Sequence, residues 1–264
     1  MIATLISDFG NGDNSVAIAK GMFLQHSPEL RLIDLSHAVS LHNLVQCSYL
    51  LKSAYRFFPA FSVHICLFDV MHTMPATVLL AKVDNQFMIT ADNGLLGFTF
   101  SDEKPIVWQY EDSESKSYIE WLDKAGSLIA ELQRVNYELK AVKLIAFSPK
   151  VEVLPLRPLL KQNSVECHVL HVDRYGNVVL NLTRKEFEEQ KKGRNFSLRI
   201  PRQMPITALS ESYAELPNGM EFCMFNSAGY LEIGIKNSSA SQLLGLKAFV
   251  QDQMIYNTIT IEFN

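Results

Sequence analysis

The sequence predicts two parts: an α/β N-terminal domain, a mostly parallel sheet with helices on both faces, and a C-terminal all-β, barrel-like domain. Three observations predict this. Over residues 1–148, short apolar runs alternate with segments of helical period, as in strands joined through crossover helices. The stretch "SPKVEVLPLRPLLKQNS" then carries three prolines and no period, which marks a connection over residues 149–164. Over 165–264 the apolar runs become short and closely spaced, as in a small barrel or sandwich. A chain of 264 residues with 48% hydrophobic content has material for two cores.

In chain order, Ile2–Ser7 reads as a buried strand that opens into the turn Asp8-Phe9-Gly10-Asn11-Gly12-Asp13. Asp13–Gln25 follows as a helix, with Val16, Ala17, Ala19, Met22 and Phe23 as its apolar positions. Leu32–Leu35 is a short strand, and Leu44–Phe57 a helix by its i, i+3/i+4, i+7 spacing. Val63–Val70, an apolar run, predicts a central strand. Val78–Val83 and Phe87–Thr90 are strands around the turn Asp84-Asn85, Asp92-Asn93-Gly94 is a further turn, and Tyr118–Leu132 is helical. In the second part, strands are expected at Val165–Val172, Val178–Leu182, Phe196–Ile200, Glu221–Phe225, Leu231–Ile235, Ala248–Val250 and Thr258–Ile261. Thr183-Arg184-Lys185-Glu186 is a capping box that starts a helix ending near Lys192.

Composition sets outer limits. Net charge is −4 and the basic residues are scattered, so no nucleic-acid footprint is expected. There is no basic N-terminal region followed by an apolar run and no run of about 18 apolar residues, so neither a secretory signal nor a membrane span is expected. Cys47, Cys66, Cys167 and Cys223 lie far apart in apolar stretches and read as buried thiols of a cytoplasmic protein. The seven histidines show no ligand spacing, so no metal is implied, and no phosphate loop is present.

Three polar clusters stand out. The first is the opening turn with Asp8, Asp13 and Ser15; the second is "HVDRYGNVVLNLT", where Asp173, Tyr175 and Asn177 surround Gly176; the third is "FNSAGYLEIGIKNSSASQLLG", with Asn226-Ser227 turning into a strand and Ser238-Ser239-Ala240 starting a short helix. Taken singly, each is also ordinary turn chemistry.

Taken in order, the segments "TLISDFGNGDNSVAIAKG", "LIDLSHAV", "ITADNGLL", "HVDRYGNVVLN" and "NSAGYLEIGIKNSSASQLLG" resemble the S-adenosyl-L-methionine hydroxide adenosyltransferase and fluorinase family. The resemblance spans nearly the whole chain. It implies an α/β N-domain joined to a C-terminal β-barrel and a homotrimer with the ligand site between subunits. It implies S-adenosyl-L-methionine as substrate, with no cofactor, and displacement of methionine from C5′ of the ribose. By position in the family motifs, Asp8 would accept from the ribose 2′- and 3′-hydroxyls, as an acceptor-only carboxylate suits a cis-diol. Asp13 and Ser15 would hold the methionine amine and carboxylate, and Asp173 would face the ammonium. Asn177 would read the adenine edge, Tyr175 and Tyr213 would offer aromatic surface, and Asn226, Ser227 and the backbone near Ala240 would complete the adenine site.

The catalytic segments depart from the family. Where hydroxide-transferring members carry V-D-P-G-V-G followed by arginine, this chain has "LFDVMHTMPATVLLA", keeping Asp69 alone. Where they carry T-F-H-G-R-D, it has "SKSYIEWLDKAGSLIAEL", with Ile119 or Glu120 at the histidine position and Asp123 in common. His42 and Asn43 stand where other members have tryptophan and aspartate. Asp69 with His72 three residues later forms a possible general base, with Glu120 a stand-in for the lost histidine, while His72 also reads as a solvated loop residue. His42 either stacks on substrate or caps a helix, and His37 makes a structural hydrogen bond near a strand end. Two functions remain open: a hydrolase of S-adenosylmethionine, or a sensor or carrier that binds an adenosyl ligand without turnover.

Overall fold

The computed structural model describes residues 1–150, 156–200, 203–248 and 258–264. The chain divides into two compact units, Met1–Pro155 and Leu156–Asn264, and the division falls inside the expected connection.

The first unit is built on a seven-stranded sheet: β1 (Ile2–Ser7), β2 (Arg31–Ser36), β3 (Val63–Leu67), β4 (Leu79–Val83), β5 (Gln86–Thr90), β6 (Val107–Tyr110) and β7 (Leu144–Phe147), in the order β2-β1-β3-β5-β4-β6-β7. The pairs β1–β2, β1–β3 and β3–β5 are parallel. The pairs β5–β4, β4–β6 and β6–β7 are antiparallel, so the sheet is mixed and the expectation of a mostly parallel sheet is corrected. The physical reason is the Asp84-Asn85 turn. A two-residue connection can only reverse the chain, and a parallel neighbour needs a crossover of a dozen residues or more.

Among the described residues, four α-helices accompany this sheet: α1 (Ser15–His26), α2 (Leu44–Ala54, continued by a 3-10 turn over Tyr55–Phe57), α3 (Leu95–Thr99) and α4 (Tyr118–Arg134). Side chains alternate along the strands. Ala3 and Leu5 of β1 and Val63, Ile65 and Leu67 of β3 join Ala19 and Phe23 of α1 and Trp121, Leu122 and Ala125 of α4 in one core. The opposite face holds Thr4 and His64, bonded at 2.7 Å, with Tyr55 edge-on to the His64 ring. Gly126 lets α1 and α4 approach: a Cβ there would lie 2.4 Å from His26 Cδ2, which accounts for a helix-interior glycine that otherwise costs about 1 kcal/mol.

The second unit is an antiparallel sheet of β8 (Leu159–Leu160), β9 (Ser164–Val172), β10 (Val178–Thr183), β11 (Phe196–Arg199), β12 (Glu221–Phe225), β13 (Tyr230–Ile235) and β14 (Thr258–Phe263). The order is β11-β14-β9-β10-β13-β12, with β8 on β9. The sheet curls into a half-barrel, and among the described residues β11 and β12 do not pair, so the barrel is open rather than closed. Register shifts on both sides of β10, after Val179, supply the curl, as β-bulges do. Helix α5 (Arg184–Lys191) starts at the predicted capping box. Its Phe187 fills the open side, edge-on to Phe196, Phe225 and Phe263 at 5.2–5.7 Å. A short α6 (Ala240–Leu244) follows β13. The connection expected over 149–164 ends earlier than its sequence suggests, because Leu159–Leu160 and Ser164 already belong to this sheet. The strand expected at Ala248–Val250 falls mostly outside the described residues. All four cysteines are buried and free, Cys47 and Cys66 in the first unit and Cys167 and Cys223 in the second.

Candidate active site

Strand order locates the first group of site residues. From β1 the chain passes through α1 to β2 on one side, then through α2 to β3 on the other. The order therefore reverses between β1 and β3, and the crevice beyond their carboxyl ends is where open α/β sheets bind ligands. Ser7 is level with Leu67 in the register, so the residues that follow, Asp8 and Asp69, emerge side by side. The Asp69 N–H donates to Asp8 Oδ2 at 3.2 Å.

Asp69 is fixed from several directions. Its carbonyl accepts from Thr73 N (3.1 Å) and Thr73 Oγ1 (2.7 Å), closing the loop after β3. The preceding Phe68 carbonyl accepts from Asn93 Nδ2 at 2.6 Å, which gives the predicted Asp92-Asn93-Gly94 turn its purpose. Asp69 takes φ +51° and His42 φ +56°, left-handed conformations that strain non-glycine residues and gather at functional sites. Two imidazoles converge on one oxygen of Asp69: His42 Nδ1 at 3.1 Å and His72 Nδ1 at 3.0 Å. The rings meet edge to face, 4.9 Å apart. His42 thus contacts Asp69, and the helix cap of α2 is Asn43, which accepts from Gln46 N at 3.0 Å.

Asp8 is buried. That burial pushes its carboxyl above the ordinary carboxylate value and the Asp69 charge adds to the push, while the Asp69 N–H and His42 pull partly back. Asp13 and Ser15 lie at the start of α1, where Asp13 Oδ1 accepts from Ser15 N at 2.9 Å. Glu120 does not join the aspartate: its carboxylate accepts from Lys116 N at 2.7 Å, while Oγ of Ser117, the N-cap of α4, accepts from Glu120 N. Asp123, the residue retained from the family motif, bonds His26 of α1 at 2.9 Å. His37 makes the expected structural bond, to Ser7 Oγ at 2.7 Å.

The second unit carries the other predicted residues, beginning with Asp173, Tyr175 and Asn177 at the β9–β10 turn. Asp173 Oδ1 accepts from Tyr175 N (2.9 Å) and Asn177 N (2.8 Å), and its other oxygen faces Asn177 Nδ2 at 3.3 Å. Gly176 (φ +84°) brings this turn against α6: a Cβ would lie 2.8 Å from Ser239 Cα, and the Gly176 carbonyl accepts from Ser241 N at 2.9 Å. The Ser238-Ser239-Ala240 segment and the Asp173–Asn177 turn therefore form one surface. Asn226 Oδ1 accepts from Ala228 N and Tyr230 N, and Ser227 is exposed in the same turn. Tyr213 packs edge-on against Phe222, with Lys236 Nζ 3.9 Å above its ring, and Tyr175 is exposed. One member escaped the sequence reading. Glu232, on β13, accepts from Asn226 Nδ2 at 3.3 Å, and burial pushes its carboxyl up. Its signal was a lone carboxylate in the apolar strand "YLEIGI".

The model of the SAM hydroxide adenosyltransferase N-terminal domain matches residues 3–127, and that of the C-terminal domain matches residues 167–251. The chain belongs to the SAM hydroxide adenosyltransferase family. Among curated relatives, the (R)-S-adenosyl-L-methionine hydrolase of Methanocaldococcus jannaschii is 25% identical, with 97% of this chain and 96% of that protein covered. Its Thermus thermophilus counterpart is also 25% identical, over 92% and 94%. The fluorinase of Nocardia brasiliensis is 22% identical, over 96% of each. An uncharacterized conserved protein from Thermotoga maritima has the same fold, with a TM-score of 0.77 at 21% identity over 99% of each chain. For an adenosyltransferase-family chain, the coordinates then add what sequence similarity does not: the retained Asp69 keeps company with two histidines, His42 and His72, from separate loops.

Proposed function

We propose that this chain hydrolyses S-adenosyl-L-methionine at C5′, giving adenosine and methionine, with Asp69, His42 and His72 acting in place of the family's Asp-Arg-His group. The observation that carries this reading is the convergence of both imidazoles on the Asp69 carboxylate at the mouth of the β1–β3 crevice. Sulfonium is already a good leaving group, so the protein must align the ligand and hold and activate a water. The water oxygen forms the new bond to C5′, the C5′–S bond breaks with its electron pair going to sulfur, one of the water's protons leaves through the imidazole side, and the other stays on the 5′-hydroxyl of adenosine. Asp8 takes the ribose diol and Asp13 and Ser15 the methionine end, and in the homotrimer that the resemblance implies, the remaining polar edges fall to Asp173, Asn177, Asn226 and the backbone near Ala240 of the next subunit.

Purified protein incubated with each sulfonium epimer of S-adenosylmethionine is expected to release adenosine and methionine in equal amounts. Asp69→Asn should lower the rate by roughly a hundredfold or more, measured by chromatography of the supernatant. No adenosine after prolonged incubation at high protein concentration would reject the hydrolase. A second reading, a sensor or carrier, is favoured by one observation: Glu120, which with Ile119 shares the position of the family histidine, has its carboxylate engaged by the Lys116 backbone N–H. That reading expects calorimetric binding of S-adenosylmethionine without turnover, weakened by Asp8→Asn.

A further inference from the structure

We infer that His42, Asp69 and His72 form a site for a divalent metal ion of the zinc class. Read from sequence, the histidines show no ligand spacing, because positions 42, 69 and 72 sit on two loops that only the sheet brings together. In the fold, His42 Nδ1, Asp69 Oδ1 and His72 Nδ1 all lie within 4.8 Å of one another, with the two nitrogens 3.1 and 3.0 Å from the oxygen. Ligand bonds of about 2.0–2.1 Å in a tetrahedron set neighbouring ligand atoms roughly 3.3 Å apart. The two nitrogen–oxygen separations are therefore close to what such an ion requires.

Two imidazoles and one carboxylate make up the protein share of many hydrolytic zinc centres, the fourth position being left to water. The same set also holds non-haem iron, but displacement of a thioether by water exchanges no electrons, so a redox-inert ion suffices. The site has an open side: the His42 and His72 side chains are 59% and 64% exposed, whereas Asp69 is anchored by its backbone. Asp8, bonded to the Asp69 N–H, supplies a second carboxylate that offsets the dication without being needed as a ligand. The catalytic consequence rests on the hydrolase reading above; the binding does not. A water on such an ion loses a proton to solvent near neutral pH. With the ion in place the two imidazoles serve as ligands in place of their role as bases, and the resulting hydroxide would attack C5′ as the C5′–S bond breaks towards sulfur, replacing the missing arginine and histidine.

The test uses the full chain, stripped with a chelator and dialysed against zinc at micromolar concentration, with bound metal read by mass spectrometry. About one equivalent should be retained, and His42→Ala, His72→Ala and Asp69→Asn should each weaken retention roughly tenfold or more. His26→Ala, remote from the group, should leave it unchanged, and circular dichroism checks that every variant is folded. Cobalt substitution should give the visible absorption of a four-coordinate ion. Retention well below one equivalent by the folded wild-type chain, or equal retention by the three ligand variants, would overturn the site. Hydrolysis that persists undiminished after stripping would remove the ion from the reaction while leaving the hydrolase reading intact. Zinc retained at these residues without any hydrolysis would do the opposite.

Discussion

At the scale of single residues, the carboxylates decide most. Asp34 shows the ordinary case: burial works against its charge, but Lys20 at 2.7 Å and His37 outweigh it and hold the carboxyl below its usual value. Glu232 is the reverse. Burial leads, Asp173 adds to it, and bonds from Asn226 and Asn177 do not compensate, so its proton is held above the ordinary 4.5. A raised carboxyl contributes stability that is complete below the unfolded value and is lost as pH rises through the folded one. Glu232→Gln keeps the acceptor for Asn226 and cannot ionise. Its melting temperature relative to wild type should therefore climb between about pH 4 and pH 7; a flat or falling difference across that range would show that Glu232 ionises freely in the fold. Glu232 was legible as an anomaly in its strand, but its partners were not, since Asp173, Asn177 and Asn226 come from two other turns.

Elements follow local rules closely where their ends are written in the sequence. The Thr183–Glu186 capping box sits where the residues predict, and β1, α2 and α4 begin as expected within two residues. Short, half-exposed pieces were not legible. Strands β6 ("VWQY") and β7 ("LIAF") carry little alternation and exist because β4 offers β6 an edge and β6 in turn offers one to β7. The five-residue α3 is set by the Asn93 side chain bonding Leu95 N at 3.1 Å. Helix α5 gives a graded prediction. Thr183→Ala should cost about 1 kcal/mol through the lost cap. Phe187→Ala should cost about 3–5 kcal/mol, because a fully buried ring between Phe196, Phe225 and Phe263 leaves a cavity. Urea denaturation compares the two; similar costs would mean that the half-barrel closes without its plug.

For the whole molecule, the order of motifs identified the family, while the chemistry needed coordinates, because Asp69, His42 and His72 are adjacent only once β1 and β3 are. The expected homotrimer is a separate proposal: light scattering at micromolar concentration should return the mass of three chains of 29.9 kDa, and a single-chain mass would reject it. Calorimetry with S-adenosylmethionine should show weaker binding for Asp8→Asn and for Asn177→Ala alike, and an unchanged affinity in either variant would confine recognition to one unit. The distribution of sulfur carries its own consequence. With two thiols sealed in each unit, and burial pushing Cys66 and Cys223 up to about 12, the native chain resists alkylating reagents. Exposure of either pair to iodoacetamide then times the opening of its own unit, so the rate at which each half breathes is readable from a peptide map without any introduced cysteine.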